Sequence, residues 1–186
     1  MYRQKRLSNV TKAYLCCFYK ILEIMIEGMT RAELTDSISH NFIVQMIPHH
    51  MAAIEMSQNI LQYTTFIPLQ EIALNIINEQ TKSIENMHNV LTNCGKFENS
   101  HEDLSTYQKH FTHIIQTMFK QMQNARITNN INKNFMREMI PHHKGAIRMS
   151  KNALQYKICT NLVPILNSII KAQQEGVHKM EMLLCR

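Results

Sequence analysis

Adjacent histidines flanked by methionine occur twice in this chain. The first stretch reads Asn41-Phe42-Ile43-Val44-Gln45-Met46-Ile47-Pro48-His49-His50 and runs on through Ala53, Ile54, Met56 and Ser57. The second, offset by 93 residues, reads Asn134-Phe135-Met136-Arg137-Glu138-Met139-Ile140-Pro141-His142-His143, with Ala146, Ile147, Met149 and Ser150 beyond it. Imidazole and thioether form a soft-to-borderline donor set that suits copper, above all Cu(I), and does not suit magnesium or calcium, which need oxygen ligands. Residues three and four apart are neighbours on a helix, so Met46 reaches both His49 and His50, and Met56 lies two turns from His49. Met139, His142, His143 and Met149 repeat the arrangement. Gln80 and Met87, with Gln173 and Met180, stand where a second pair of helices could complete or duplicate the site.

Other chemistries compete for the same residues. A histidine on an apolar face is ordinarily a core residue bonded to a neighbour, and methionine fills irregular cores. A metal-free structural or interaction module, its histidines satisfying one another and Gln80 or Gln173, is therefore the second reading. A ferritin-like metal-dependent oxidoreductase is the third, because Glu85-Asn86-Met87-His88 has the Glu-x-x-His spacing of di-iron bundles. Its counterpart is inverted, however, as His178-Lys179-Met180-Glu181, and inward glutamates on the His-His helices are not expected: Glu55 falls on the polar face and its mate is Arg148. No nucleophile is placed with the histidines in both halves except Ser57 and Ser150, which read more simply as small residues allowing close packing. The expected role is non-catalytic.

These helices belong to a duplicated unit. Residues 8–93 align without a gap on 101–186 with 30 identities, among them Tyr14/Tyr107, Phe18/Phe111, Met25/Met118, Ile76/Ile169 and Gln80/Gln173. The expected division is a disordered basic tail over 1–9, a first repeat over 10–93, a joint over 94–100 and a second repeat over 101–186, both repeats sharing one domain. Hydrophobic periodicity predicts helices at about 11–29, 38–62 and 68–93, then 103–125, 131–156 and 161–184. N-cap oxygens are offered by Thr35, Asp36 and Ser37, and by Ser100 with Asp103. On the second helix Ile43, Met46, Ile47, His50, Ala53, Ile54, Ser57 and Leu61 share one face, while Gln45, Ala52, Glu55, Gln58, Asn59 and Gln62 occupy the other. His49 and Met56 lie at the edge of the apolar stripe. Pro48 removes a helical hydrogen bond, but the stripe keeps phase across it, which favours a kink over a restart. The fold class is all-α, its core a four-helix bundle made by the two His-His helices and the two third helices.

Composition narrows the remaining possibilities. Fourteen methionines, ten histidines, no tryptophan and 45% hydrophobic residues describe a chain able to bury a core. The formal charge of +6 comes from scattered lysines and arginines without interleaved aromatics, so no nucleic-acid partner is expected. No run approaches a membrane span, and Asn9-Val10-Thr11-Lys12 interrupts any apolar signal core. The five cysteines, Cys16, Cys17, Cys94, Cys159 and Cys185, are odd in number and lack CxxC spacing. Neither a disulfide framework nor a zinc site is expected, and reduced thiols in a cytoplasmic setting fit best.

The motif Phe-x-x-x-Met-Ile-Pro-His-His-x-x-Ala-Ile-x-Met, followed by Ile-Ile-x-x-Gln and a later Met, appears twice and resembles the family called domain of unknown function 305. The matching positions are Phe42, Met46, His49, His50, Ala53, Met56, Gln80 and Met87, with Phe135, Met139, His142, His143, Ala146, Met149, Gln173 and Met180. The resemblance implies a ferritin-like four-helix bundle and, for some members, copper bound through Met and His. The chain departs from the family pattern in having Ser83 and Gly176 where glutamate is usual, and Asn41 and Asn134 where an acid often precedes the Phe.

Taken together, Met46, His49, His50, Met56, Met139, His142, His143 and Met149 are the expected metal ligands, with Gln80, Met87, Gln173 and Met180 behind them. His49 and His142, at the stripe edge, are expected to be the primary and more accessible ligands, and His50 and His143 the more buried.

Overall fold

A computed structural model describes residues 6–185 of the chain. Six helices account for its regular structure: α1 (Asn9–Thr30), α2 (Ile38–Leu61), α3 (Ile67–Cys94), α4 (His101–Gln123), α5 (Ile131–Ala153) and α6 (Val163–Leu184). Among the described residues there is no strand, and the fold is all-α as expected. Helices α2 and α5 meet at the centre, α3 packs on α2 and on α6, and α6 packs on α5, which closes a four-helix core. The remaining two lie outside it, α1 against α2 and α4 against α5. None of the described helices is long and apolar enough to cross a membrane.

The caps fix where the helices start. Ser37 accepts from the His40 amide and Ser100 from the Asp103 amide, satisfying donors that a first helical turn leaves free. The first helix begins sooner than expected, because Ser8 caps it through the Thr11 amide. The Ser8 amide in turn donates to Asn129 Oδ1 at 2.8 Å, and Asn129 Nδ2 donates to the Arg6 carbonyl. Residues 6–9 are therefore held by side-chain bonds rather than forming the end of a disordered tail; residues 1–5 lie outside the described residues. Helices α2 and α5 run through Pro48 and Pro141 without a break. At the first of these α1 comes very close: a Cβ added at Gly28 would stand 2.8 Å from Pro48 Cβ, so only glycine admits that approach without a shift.

One face of α2 differs from the pattern reading. Gln45, Ala52 and Asn59, expected on a solvated face, are buried. The covering element is α1, and its backbone supplies the partners: Gln45 Nε2 donates to the Met29 carbonyl and Asn59 Nδ2 to the Tyr14 carbonyl. Buried amides meet the requirement for hydrogen bonding in this way, so the second helix has apolar neighbours on one side and a carbonyl-bearing helix on the other. The Asn59 contact recurs 93 residues later, whereas the Gln45 contact does not. Asn152 Nδ2 donates to the Tyr107 carbonyl, and the Asn41 clasp on Thr35 is matched by the Asn134 clasp on Thr128. Edge-on ring pairs Tyr14–Tyr63 and Tyr107–Tyr156 correspond as well.

The cysteines correct the expectation of five reduced thiols. Cys94, the last residue of α3, forms a disulfide with Cys159 in the α5–α6 connection, 65 residues further on. Only Cys16, Cys17 and Cys185 are free, and all three are exposed. Spacing could not reveal the pair because the two positions do not correspond between repeats; the fold brings them together where the joint meets the start of α2. Ser37 Oγ donates to the Cys94 carbonyl, the Cys159 amide to Ser39 Oγ, and Asn99 links the Asp36 carbonyl, the Ile38 amide and the Lys157 carbonyl. Closing so long a loop restricts the unfolded chain. Replacing Cys94 and Cys159 together by serine is expected to lower stability by about 2–4 kcal/mol, measured by urea denaturation without reductant, and added reductant should produce the same loss in the unaltered protein.

Candidate metal centre at the histidine layer

All four motif histidines end up in the interior. His49 and His142 are 0% exposed, His50 1% and His143 2%. Their positions follow from the crossing of α2 with α5. His49 and His142 meet across that crossing, ring centroids 3.7 Å apart and stacked at 26°. His50 and His143 point outward from this pair toward α3 and α6, each about 6 Å from its sequence neighbour (5.8 Å and 5.9 Å between centroids). The helical-wheel assignment is thereby corrected. The edge of the α2 stripe is not a border with solvent but the side that faces α5, so His49 and His142 form the innermost pair. His50 and His143 instead line cavities, together with Gln80 and Gln173 as expected.

Hydrogen bonding distinguishes the four rings. His142 Nε2 lies 3.1 Å from the His49 carbonyl, which can only accept, so the proton is on Nε2 and the lone pair on Nδ1. His50 Nε2 is 3.1 Å from Ser83 Oγ on α3. Several buried polar atoms of the layer have no partner: both ring nitrogens of His49, Nδ1 of His50, His142 and His143, both amide atoms of Gln80 and Oε1 of Gln173. Each such atom costs about 1–3 kcal/mol if left unsatisfied. Met46, Met56, Met87, Met139, Met149 and Met180 are all buried in the hydrophobic core. Among the described residues, no three His, Cys, Asp or Glu side chains are grouped so as to hold an ion. Any metal bound here must therefore draw on thioether or amide donors besides imidazole. Imidazole is a borderline donor and the thioethers of the core are soft ones, a combination that fits a soft ion, whereas the amide oxygens are hard donors that add little to it.

Other sequence candidates fall away from the layer. Glu85, His88, His178 and Glu181 are exposed, so the Glu-x-x-His spacing contributes no inward ligand. His101, His110 and His113 are exposed too. Ser83 and Gly176, noted in the sequence only as departures from the family's usual glutamate, prove to lie against the histidines: Ser83 is the hydroxyl partner of His50, and a Cβ added at Gly176 would lie 2.8 Å from His143 Cδ2 and 2.9 Å from Nε2. These are the same position in the two repeats, and that correspondence was the available signal. Missed in the sequence was an inward glutamate. Glu138 on α5 is buried and accepts from Tyr14 Oη at 2.7 Å, its other oxygen unpartnered. Its counterpart is Gln45, a neutral amide.

Burial sets the protonation of these groups. Loss of solvent, reinforced by the neighbouring rings, holds His49 and His143 well below the ordinary imidazole value. The same cause lowers His50 to about 3 and His142 to about 4. All four are neutral at pH 7, each offering a lone pair. Burial acts oppositely on Glu138, raising it to about 7 against the Tyr14 hydrogen bond, which lowers it. Below pH 6.5 the unfolded chain takes up protons that the buried rings refuse, so stability falls with acid down to about pH 3–4. Between about pH 4.5 and 7 the unfolded chain releases a proton that Glu138 keeps, so the Glu138 contribution is lost as pH rises through that window. Glu138→Gln, which retains an acceptor for Tyr14, should therefore match the unaltered protein at pH 5 and exceed it at pH 8 by on the order of 1–3 kcal/mol. Thermal and urea melts at the two pH values check both slopes.

Comparison with known proteins places the chain. No curated protein matches it. Its fold is similar to that of several solved structures, among them the following. One is described as CopM in the Ag-bound form, 25% identical, covering 81% of this chain and 96% of that one with a TM-score of 0.58. Another is CopM in the Cu(II)-bound form, at 24% identity, 79% and 95% coverage and a TM-score of 0.59. The third is a DUF305 fragment from Deinococcus radiodurans, at 20% identity, 80% and 96% coverage and a TM-score of 0.59. The sequence model of the family described as Domain of unknown function (DUF305) matches residues 39–184, a span that holds both His-His helices and both helices packed over them. The chain belongs to the DUF305 family.

Proposed function

We propose that this protein binds a soft metal ion, Cu(I) in preference to divalent ions, for storage, buffering or handover, without catalysing a reaction. The observation that carries this is the buried histidine layer, duplicated in sequence, with unpartnered ring nitrogens, inside a core rich in buried methionine. At the rings themselves an ion meets neutral donors, with the exposed carboxylates of Glu71 and Glu79 lining the cavities beside them. Burying a charge without a counter-charge is costly and the cost rises steeply with valence, so a monovalent ion is favoured over a divalent one. Thioether ligation points the same way. The similarity to a protein solved with Ag and with Cu(II) supports a metal-binding role and is compatible with either oxidation state. A ferritin-like oxidoreductase is disfavoured because the glutamates and histidines of the Glu-x-x-His stretches are exposed and Glu138 is taken up by Tyr14.

Within the proposed ligand set of Met46, His49, His50, Met56, Met139, His142, His143 and Met149, the histidines divide by position. His50 and His143 are the donors that face cavities. His49 and His142 hold the helix crossing through their stack, and this specific contact favours a structural part for them, as the metal-free reading would have it for all four. Gln80, Gln173, Met87 and Met180 stand behind as second donors or orienting groups. Metal analysis of untagged protein from cells grown with copper, zinc and iron should find copper retained and zinc and iron at background. Replacing His50 and His143 by glutamine should remove most of it with a melting shift of a few degrees. Replacing His49 and His142 by alanine should cost roughly 2–4 kcal/mol through lost packing at the crossing. Retention of copper by the first variant would overturn the assignment, and an absence of copper from the unaltered protein would leave the histidine layer as a purely structural device.

A further inference from the structure

The two halves of the histidine layer are not equally open. On the His50 side the space bounded by α3 and α6 is small, about 70 Å³, and Ser83 stands in it with its hydroxyl on His50 Nε2. On the His143 side the equivalent space is a cavity of about 580 Å³. One difference between the two lies directly against the histidines. Gly176 takes the place that Ser83 holds in the first half, and having no side chain it leaves the edge of His143 that carries Nε2 uncovered. Gln80, Gln173 and His143 form the floor of the larger cavity, all at least nine-tenths buried and each with an unpartnered polar atom. Its rim carries Glu71 and Glu79 against Lys179, a locally acidic mouth on a chain whose formal charge is +6. Such a mouth raises the local concentration of cations.

We infer that the α3–α6 cavity floored by His143, Gln80 and Gln173 is the port and first binding site for a soft monovalent cation, and that Ser83 keeps the corresponding His50 site closed. This rests on the metal-binding role proposed above and adds an order to it: the second half fills before the first. The Ser83 hydroxyl must be displaced before His50 Nε2 is free, whereas no side chain has to leave at His143. A methyl group at 176 would stand against His143 Nε2 and close the open side, and removing the hydroxyl at 83 would open the closed one.

The test uses Ag⁺ as a closed-shell probe on the full-length chain, with exposed Cys16, Cys17 and Cys185 replaced by serine so that thiols do not compete. Imidazole nitrogens are followed residue by residue in ¹⁵N-edited spectra. In the otherwise unaltered chain His143 should shift within the first equivalent and His50 only later. Gly176→Ala should weaken the His143 response by roughly tenfold or more. Ser83→Gly should make His50 respond together with His143, and it carries the test if Gly176→Ala fails to fold. Simultaneous shifts of His50 and His143 in the unaltered cavity, or an undiminished His143 response in Gly176→Ala, would overturn the port assignment while leaving metal binding intact. If no buried imidazole shifts in any of the proteins, the metal-binding role falls with it.

Discussion

The structure depends on keeping four imidazoles neutral inside an apolar interior. An imidazolium at the α2–α5 crossing would face the full penalty of a buried charge beside other rings that repel it. The rings are therefore held uncharged, and two of them serve as packing surfaces, stacked face to face where the central helices touch. Their remaining lone pairs are left unanswered by the protein. A core assembled from leucine at these positions would be cheaper to fold.

The central helices are covered on two sides, and only residues such as Met51, Glu55, Lys144 and Lys151 along them reach solvent among the described residues. Helices α3 and α6 cover one side of them and α1 and α4 the other. That second cover explains the polar residues on the back of α2 and α5. Gln45, Asn59 and Asn152 fasten onto carbonyls of the outer helices, so the cover is held by directional bonds as well as by apolar packing. Glu138 meets Tyr14 in the same layer, and burial there keeps it protonated near neutrality. Gly28 allows α1 to lie directly on Pro48, the point at which a proline ring would otherwise hold a neighbouring helix away.

Much of this was legible in the sequence because helical periodicity and internal duplication are strong signals. The six helices lie within a few residues of their expected bounds, and Ser37 and Ser100 cap as their chemistry predicts. What periodicity could not supply was the direction each face looks. A helical wheel ranks positions by angle, and it places a residue at an edge without saying whether solvent or another helix lies beyond. His49 was misplaced for that reason, as were Gln45 and Asn59. The Cys94–Cys159 bond escaped for a related one: a pair 65 residues apart with no counterpart in the other repeat has no local signature. It also removes the ground for inferring a reducing environment from cysteine number, since only three of the five thiols are free.

The contrast between Ser83 and Gly176 says something about how such a molecule can arise. Two identical three-helix chains meeting at a two-fold axis would present identical sites, both stoppered or both open, because every substitution in one copy appears in the other. Joining the halves through residues 95–100 removes that restriction. Once fused, each half can drift alone, and a serine in one and a glycine in the other become compatible within a single molecule. The connection between the repeats is in this sense what permits the pseudo-symmetric interior to be unequal, a division of labour that no homodimer of either half could reproduce.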